Sequence, residues 1–200
     1  MRSKGTIGLV IVLLLVAFAG CAGCGTYNSL VTADEQVEEA WGNVESTYQR
    51  RLDLIPNLVN TVKGAADFEQ ETLSAVTEAR ARATSINLTV ADLGDPAKLQ
   101  QFQQAQTQLT GALNRLLVVS ENYPQLRATE AFRDLQAQLE GTENRINVGR
   151  LRYNEAVRAY NTKVRRFPAA LFAGVFGFQR RTPFEAESGA ERAPTVDFNS

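Results

Sequence analysis

From Leu30 onward the apolar residues return every three or four positions, at Val37, Trp41, Val44, Tyr48, Leu52, Ile55, Val59, Val62 and Ala66. That spacing marks one face of a long α-helix, because residues three and four apart stand above one another at 3.6 residues per turn. The phase survives Pro56, which predicts a kinked or briefly interrupted helix rather than two unrelated ones. Proline removes an interior hydrogen bond and crowds the carbonyl four residues earlier. Gly64 is a second soft point; the stripe then resumes through Leu73, Val76 and Ala79 and fades near Ser85. A loop with Asp92, Gly94, Asp95 and Pro96 follows, in which Asp95 and Pro96 read as an N-cap and first helical residue.

The next helix carries Leu99, Phe102, Leu109, Leu113 and Leu116 on one face and glutamines on the other, and should stop at Tyr123, ahead of Pro124. A last long helix starts near Thr129. Its stripe of Phe132, Leu135, Leu139, Thr142, Ile146, Gly149, Tyr153, Ala156, Tyr160 and Val164 runs to a stop at Phe167 and Pro168. So regular an alternation is the seam of nearly antiparallel helices crossing at about 20°. Gly149 and Thr142 on that seam would let a neighbouring backbone come close. The fold class is therefore all-α, a bundle of long helices.

The pattern changes at both ends. Arg2 and Lys4 precede an uncharged run from Gly5 to Thr26, with its apolar centre at residues 7–19. This reads as one N-terminal membrane segment, residues 1–26. Its length suits an uncleaved transmembrane helix only if the small-residue end is counted, and it also suits a secretory signal. Phe18, Ala19, Gly20 and Cys21 resemble a lipobox, which makes Cys21 the lipidation candidate and leaves the two outcomes open. In either case the basic flank stays cytoplasmic and the helical domain lies on the extracytoplasmic side. At the other end, residues 169–178 are apolar all round and too short to span a bilayer. They are expected to cap the bundle as a short helix, or else to meet a membrane interface or a protein. The domain boundaries read as anchor 1–26, bundle 27–178 and flexible tail 179–200.

Composition narrows the chemistry. Two hundred residues, 44% hydrophobic and 22% charged, fit one folded domain with appendages. A formal net charge of −1 gives no general hold on nucleic acid. With no histidine anywhere, the commonest general base and metal ligand are missing, and no imidazole triad or Glu-x-x-His di-metal site can form. Cys21 and Cys24 have no further Cys or His to complete a zinc site. Glu69, Glu71, Glu78 and Glu143 could serve acid–base chemistry only if paired at close range, and acids on helices usually face solvent. No catalytic, cofactor-binding or metal-ligating set is assigned, and the chain is not expected to be an enzyme.

The stretch from Tyr48 to Gly64 is where helix-building rules give way. Gln49, Arg50, Arg51, Asp53, Pro56, Asn57 and Asn60 are set into an apolar stripe. In a continuous helix Arg51 falls seven residues after Val44, on the buried side, while Arg50 and Asp53 can touch on one flank. One reading is internal: a buried ion pair, or an arginine bonding the carbonyl freed by Pro56. The other makes these residues a partner-contact surface around a kink. Tyr153–Asn154 and Tyr160–Asn161 repeat seven residues apart, a spacing that suggests hydrogen bonds from helix to helix.

These residues together resemble the LemA family of bacterial membrane-attached helical proteins. The resemblance is carried by Tyr27, Asn28, Leu30 and Val31 after the anchor; by Trp41; by Gln49 to Arg51, Asp53 to Leu58 and Thr61 to Gly64; by Glu121, Tyr123 and Pro124; by Glu143 to Ile146; by the two Tyr-Asn pairs; and by Phe167, Pro168, Gly177 and Phe178. Where family members often have an aromatic and then a histidine after Gly64, this chain has Ala65, Ala66, Asp67 and Phe68. The resemblance implies an elongated antiparallel bundle behind one membrane segment and no settled activity. It implies a scaffold or adaptor of the cell envelope, with a protein partner such as a membrane protease or a TPM-domain protein. The alternative function is a lipid- or small-ligand-binding sensor, suggested by residues 171–178.

Overall fold

The computed structural model describes residues 2–64 and 68–185; within its first helix the side chains of residues 2–7, 11–12 and 14–22 lie outside the description. Helix α1 (Arg2–Lys63) is one uninterrupted element of 62 residues, roughly 93 Å long at 1.5 Å per residue. It continues through Pro56, so the brief interruption, one of the two forms expected there, does not occur. Helix α2 (Gln70–Ser85) turns back after Gly64, and a 3-10 turn (Val90–Gly94) leads into α3 (Pro96–Ser120). The Asp95 carboxylate accepts from the backbone N–H groups of Ala97 and Lys98, with Pro96 as the first helical residue, as the sequence predicts. Helix α3 stops at Ser120, three residues short of the expected end, because Tyr123 serves as N-cap of a separate turn, α4 (Pro124–Arg127).

Helix α5 (Glu130–Arg165) begins behind Thr129, whose hydroxyl accepts from the Phe132 N–H, and ends ahead of Phe167 and Pro168. It packs against α1 along most of its length, and α2 packs on α3. Gly149 permits the close approach on that seam: a Cβ there would stand 3.1 Å from the Val44 side chain and 3.7 Å from the Val44 Cα. A short helix, α6 (Ala169–Ala173), folds onto α1 and α5 and caps the bundle end.

The buried apolar residues divide into two clusters stacked along the α1–α5 pair. The proximal one, nearer the N-terminus of α1, gathers Leu30, Val37, Trp41 and Tyr48 with Phe102, Ile146, Tyr153 and Tyr160. The distal one gathers Leu52, Ile55, Leu58 and Val62 with Leu73, Leu109, Leu116 and Leu139. The boundary falls between Tyr48 and Leu52, at the stretch that broke the helical pattern. Among the described residues no helix is long and apolar enough to cross a membrane. Most of the apolar run 7–19, and the lipidation candidate Cys21, lie among the side chains outside the description.

Candidate functional site

Arg51 occupies the boundary between the clusters. Its position on the apolar stripe of α1 forces it inward, where it is only 2% exposed. Its Nη1 donates to Glu143 Oε2 of α5 at 2.9 Å and to Thr110 Oγ1 of α3 at 3.0 Å, and its Nη2 donates to Gln106 Oε1. The guanidinium carbon stands 5.2 Å from the Tyr48 ring centroid, within cation–π range. Buried Thr142, beside Glu143 in sequence, donates to the Gln138 carbonyl within α5. A polar layer of this kind ties α1, α3 and α5 into one register, because any axial slip leaves the guanidinium unpaired in an apolar core. Arg51 is thus engaged within the bundle, by side chains of α3 and α5.

The carbonyl freed by Pro56 is also satisfied, but by a different arginine. Arg80 Nε of α2 donates to the Leu52 oxygen at 3.0 Å, and Leu52 is the residue whose carbonyl an N–H at position 56 would have bonded. Asp53 accepts from Gln49 Nε2 at 2.8 Å instead of meeting Arg50. Gln49, Arg50, Asp53, Pro56, Asn57 and Asn60 are all exposed. At 100° per residue they fall within about 120° of one another, an outward stripe opposite the buried face.

The four candidate carboxylates are engaged separately. Glu143 holds Arg51, Glu71 pairs with Arg115 at 3.3 Å, Glu78 with Arg82 at 3.8 Å, and Glu69 accepts from Thr72 at 3.1 Å. Among the described residues no three His, Cys, Asp or Glu side chains gather as a metal site. A groove of about 510 Å³ opens on the polar layer, lined by Tyr48, Arg51, Gln103, Gln106, Glu143 and Arg150 among others.

The two Tyr-Asn pairs serve a different element from the one expected. Asn161 Nδ2 donates to the Arg181 carbonyl at 2.8 Å while its Oδ1 accepts from the Arg181 N–H at 2.9 Å; Asn154 does the same for Phe184 at 3.0 and 2.8 Å. Tyr160 and Tyr153 donate to the carbonyls of Gln179 and Thr182. Residues 179–185 are thus a strap read by its backbone, much as a neighbouring strand would read it. The tail expected from Gln179 is bound to the bundle as far as Glu185, and residues 186–200 lie outside the description.

Side chains lock the strap in place. Arg181 pairs with Asp34 through Nε and Nη2 at 3.0 and 3.1 Å and donates through Nη1 to the Val90 carbonyl. Phe184 is 4% exposed, stacked on Trp41 at 6.0 Å and edge-on to Tyr153 at 5.2 Å. Burial, reinforced by Asp34, pushes the Tyr160 phenol up to about 12, and burial raises Tyr153 further. Sequence reasoning missed the strap because residues 179–185 carry no periodicity; the available signal was the repeat of buried Tyr-Asn pairs, which needed backbone partners.

The chain also matches known proteins over most of its length. A model described as the LemA family matches residues 40–198. The chain is 26% identical to magnetosome protein MamQ 2 of Paramagnetospirillum magneticum over 199 residues, covering 92% of this chain and 73% of that protein. It is 26% identical to magnetosome protein MamQ of Magnetospirillum gryphiswaldense, covering 88% and 72%. It is 24% identical to protein LemA of Metamycoplasma hominis, covering 72% of this chain and 61% of that protein.

Proposed function

Because this chain belongs to the LemA family, we propose that it is a membrane-anchored helical scaffold or adaptor of the bacterial cell envelope that works by binding another envelope protein and not by catalysis. The anchor lies at the start of α1, either as an uncleaved span of its apolar run or as Cys21 lipidated after that run is removed, with the bundle on the extracytoplasmic side. Leu9, Val10 and Leu13 support this: all three are exposed on the same continuous helix that supplies the bundle core from Leu30 onward.

The observation that carries the scaffold reading is the outward stripe of Gln49, Asp53, Pro56, Asn57 and Asn60. The inward half of the same stretch is consumed by packing, whereas the stripe is rigidly presented and faces solvent. An envelope protein, such as a membrane protease or a TPM-domain protein, is the partner class. Crosslinking with mass spectrometry in native membranes tests the proposal. A reproducible partner lost on Asn57→Ala with Asn60→Ala, in a chain that still folds, supports it; no reproducible partner sinks it.

One observation favours a second reading. Arg51 Nε is buried without a hydrogen-bond partner beside the 510 Å³ groove. A small polar ligand with an acceptor group would suit that site. Analysis of small molecules retained by the purified protein separates the two, since the scaffold reading expects none in stoichiometric amount.

A further inference from the structure

The end of the bundle nearest the apolar run carries a surface that the scaffold proposal leaves unused. Four contacts order it along α1. Lys163 Nζ donates to the Ser29 carbonyl at 3.5 Å, and Tyr27 meets Phe176 and Phe178 edge-on at 5.1 and 5.7 Å. One turn nearer the N-terminus, the Phe172 ring lies where a Cβ on Gly23 would be 3.7 Å away. Beyond Gly23 the helix leads into the apolar run that holds exposed Leu13, Val10 and Leu9. The segment after α6 closes on Gly177, whose φ of +78° is a left-handed conformation that glycine adopts without strain.

The outer side of this segment is apolar and bare. Phe167, Leu171, Val175 and Phe176 are 78%, 64%, 80% and 49% exposed. The charge flanking them in sequence has a single sign. Residues 1–33 and 156–183 contain no Asp or Glu, although the chain has 22 acidic residues, whereas the second segment carries Arg158, Lys163, Arg165, Arg166, Arg180 and Arg181. Of these, Arg181 is engaged by Asp34, and Arg165, Arg166 and Arg180 are exposed.

We infer that residues 167–178 form a membrane foot: Phe167, Leu171, Val175 and Phe176 enter the headgroup–acyl boundary of the bilayer that takes residues 7–19, while Lys163, Arg165, Arg166 and Arg180 form a collar against anionic lipid phosphates. This rests on the uncleaved-span form of the anchor reading above. The order along α1 is the one an interface requires, with the apolar run first, aromatic rings next and cations beyond them. Continuity with the run and charge complementarity together specify lipid as the occupant. With two points of attachment the bundle is held at a fixed tilt, and Asn57, 34 residues beyond Gly23, stands about 50 Å above the foot at 1.5 Å per residue.

The test uses the full chain reconstituted in vesicles of phosphatidylcholine and phosphatidylglycerol carrying brominated acyl chains. Val175→Trp adds one fluorophore, and wild type, with Trp41 buried in the core, supplies the baseline. The emission added by Val175→Trp should be blue-shifted and mostly quenched, whereas that added by Val118→Trp on α3 should stay unquenched. The quenching should fall in vesicles of phosphatidylcholine alone and on Arg165→Gln with Arg166→Gln. A chain that co-floats with vesicles but leaves Val175→Trp unquenched overturns the foot and retains the anchor. A chain that does not co-float overturns the anchor reading and the foot with it.

Discussion

Arg80 Nε lies 3.0 Å from the carbonyl oxygen of Leu52, the acceptor that Pro56 leaves without its helical donor. A proline inside a long helix usually reads as a hinge. Here the freed carbonyl is taken up by a neighbouring helix, which stitches α2 to α1 and holds α1 continuous where it would otherwise be weakest. Removing the stitch should therefore matter only while the proline is present.

Arg80→Ala should lower stability by about 1–3 kcal/mol, the usual result of leaving a buried acceptor unsatisfied. In a Pro56→Ala background the restored N–H can bond the Leu52 carbonyl, and the same substitution should then cost markedly less. Denaturant unfolding of the four proteins measures the coupling. Equal losses in both backgrounds would show that Arg80 acts through something other than this carbonyl.

Arg51 and Glu143, 92 residues apart in sequence, should be unequal partners. Arg51→Ala removes the centre of the polar layer and should cost about 3–5 kcal/mol, as when one side of a buried pair is lost. Glu143 is 42% exposed, and without it the guanidinium keeps Gln106 and Thr110. Glu143→Ala should thus cost clearly less than Arg51→Ala. Comparable losses in thermal or denaturant unfolding would contradict the layer described here.

What could be read from the sequence follows from how local each interaction is. The stripes from Val37 to Val62 and from Phe132 to Val164, and the Asp95–Pro96 cap, depend on neighbours within one or two turns, so spacing alone announced them. That Arg51 must be paired if buried was equally plain from its place on the stripe. Its partner was not, since nothing in the chain links position 51 to position 143 until α1 and α5 are laid side by side. Arg80 was missed for a related reason: its spacing on α2 resembles an ordinary solvated residue, and only the folded chain brings it to Leu52. The strap was the largest omission. Gln179 to Glu185 has no amphipathic period, and its order is imposed by Asn154 and Asn161.

The strap should come loose when its clamps are removed. Asn154→Ala with Asn161→Ala, or Phe184→Ala, should expose the bonds after Arg180 and Arg181 to trypsin much faster than in wild type. Phe184→Ala should also lower global stability by about 3–5 kcal/mol, typical of emptying a buried phenylalanine site. Unchanged cleavage in the double Asn variant would mean that the amide pairs do not hold the segment.

Stability should fall in alkali through the two strap tyrosines. An exposed tyrosine loses its proton near 10.0, and folded Tyr160 holds its proton up to about 12. Between those values the unfolded chain ionises first, which favours unfolding. The contribution is therefore complete below pH 10 and declines as pH rises through the folded value. Tyr153, raised further by burial, extends the decline. Tyr153→Phe with Tyr160→Phe should lower stability at neutral pH and flatten its alkaline slope; an unchanged slope in unfolding titrations would remove these tyrosines from the account.

The central claim is that an exposed stripe on a rigid, anchored helix meets another envelope protein. Its most direct test is a scan with a photo-crosslinking residue placed singly at Gln49, Asp53, Asn57 and Asn60, and at the exposed Val118 and Leu151 as controls, in native membranes. Adducts of one discrete mass from the four stripe positions and none from the controls is the predicted result. Adducts that are absent, or equally abundant at all six positions, would contradict it.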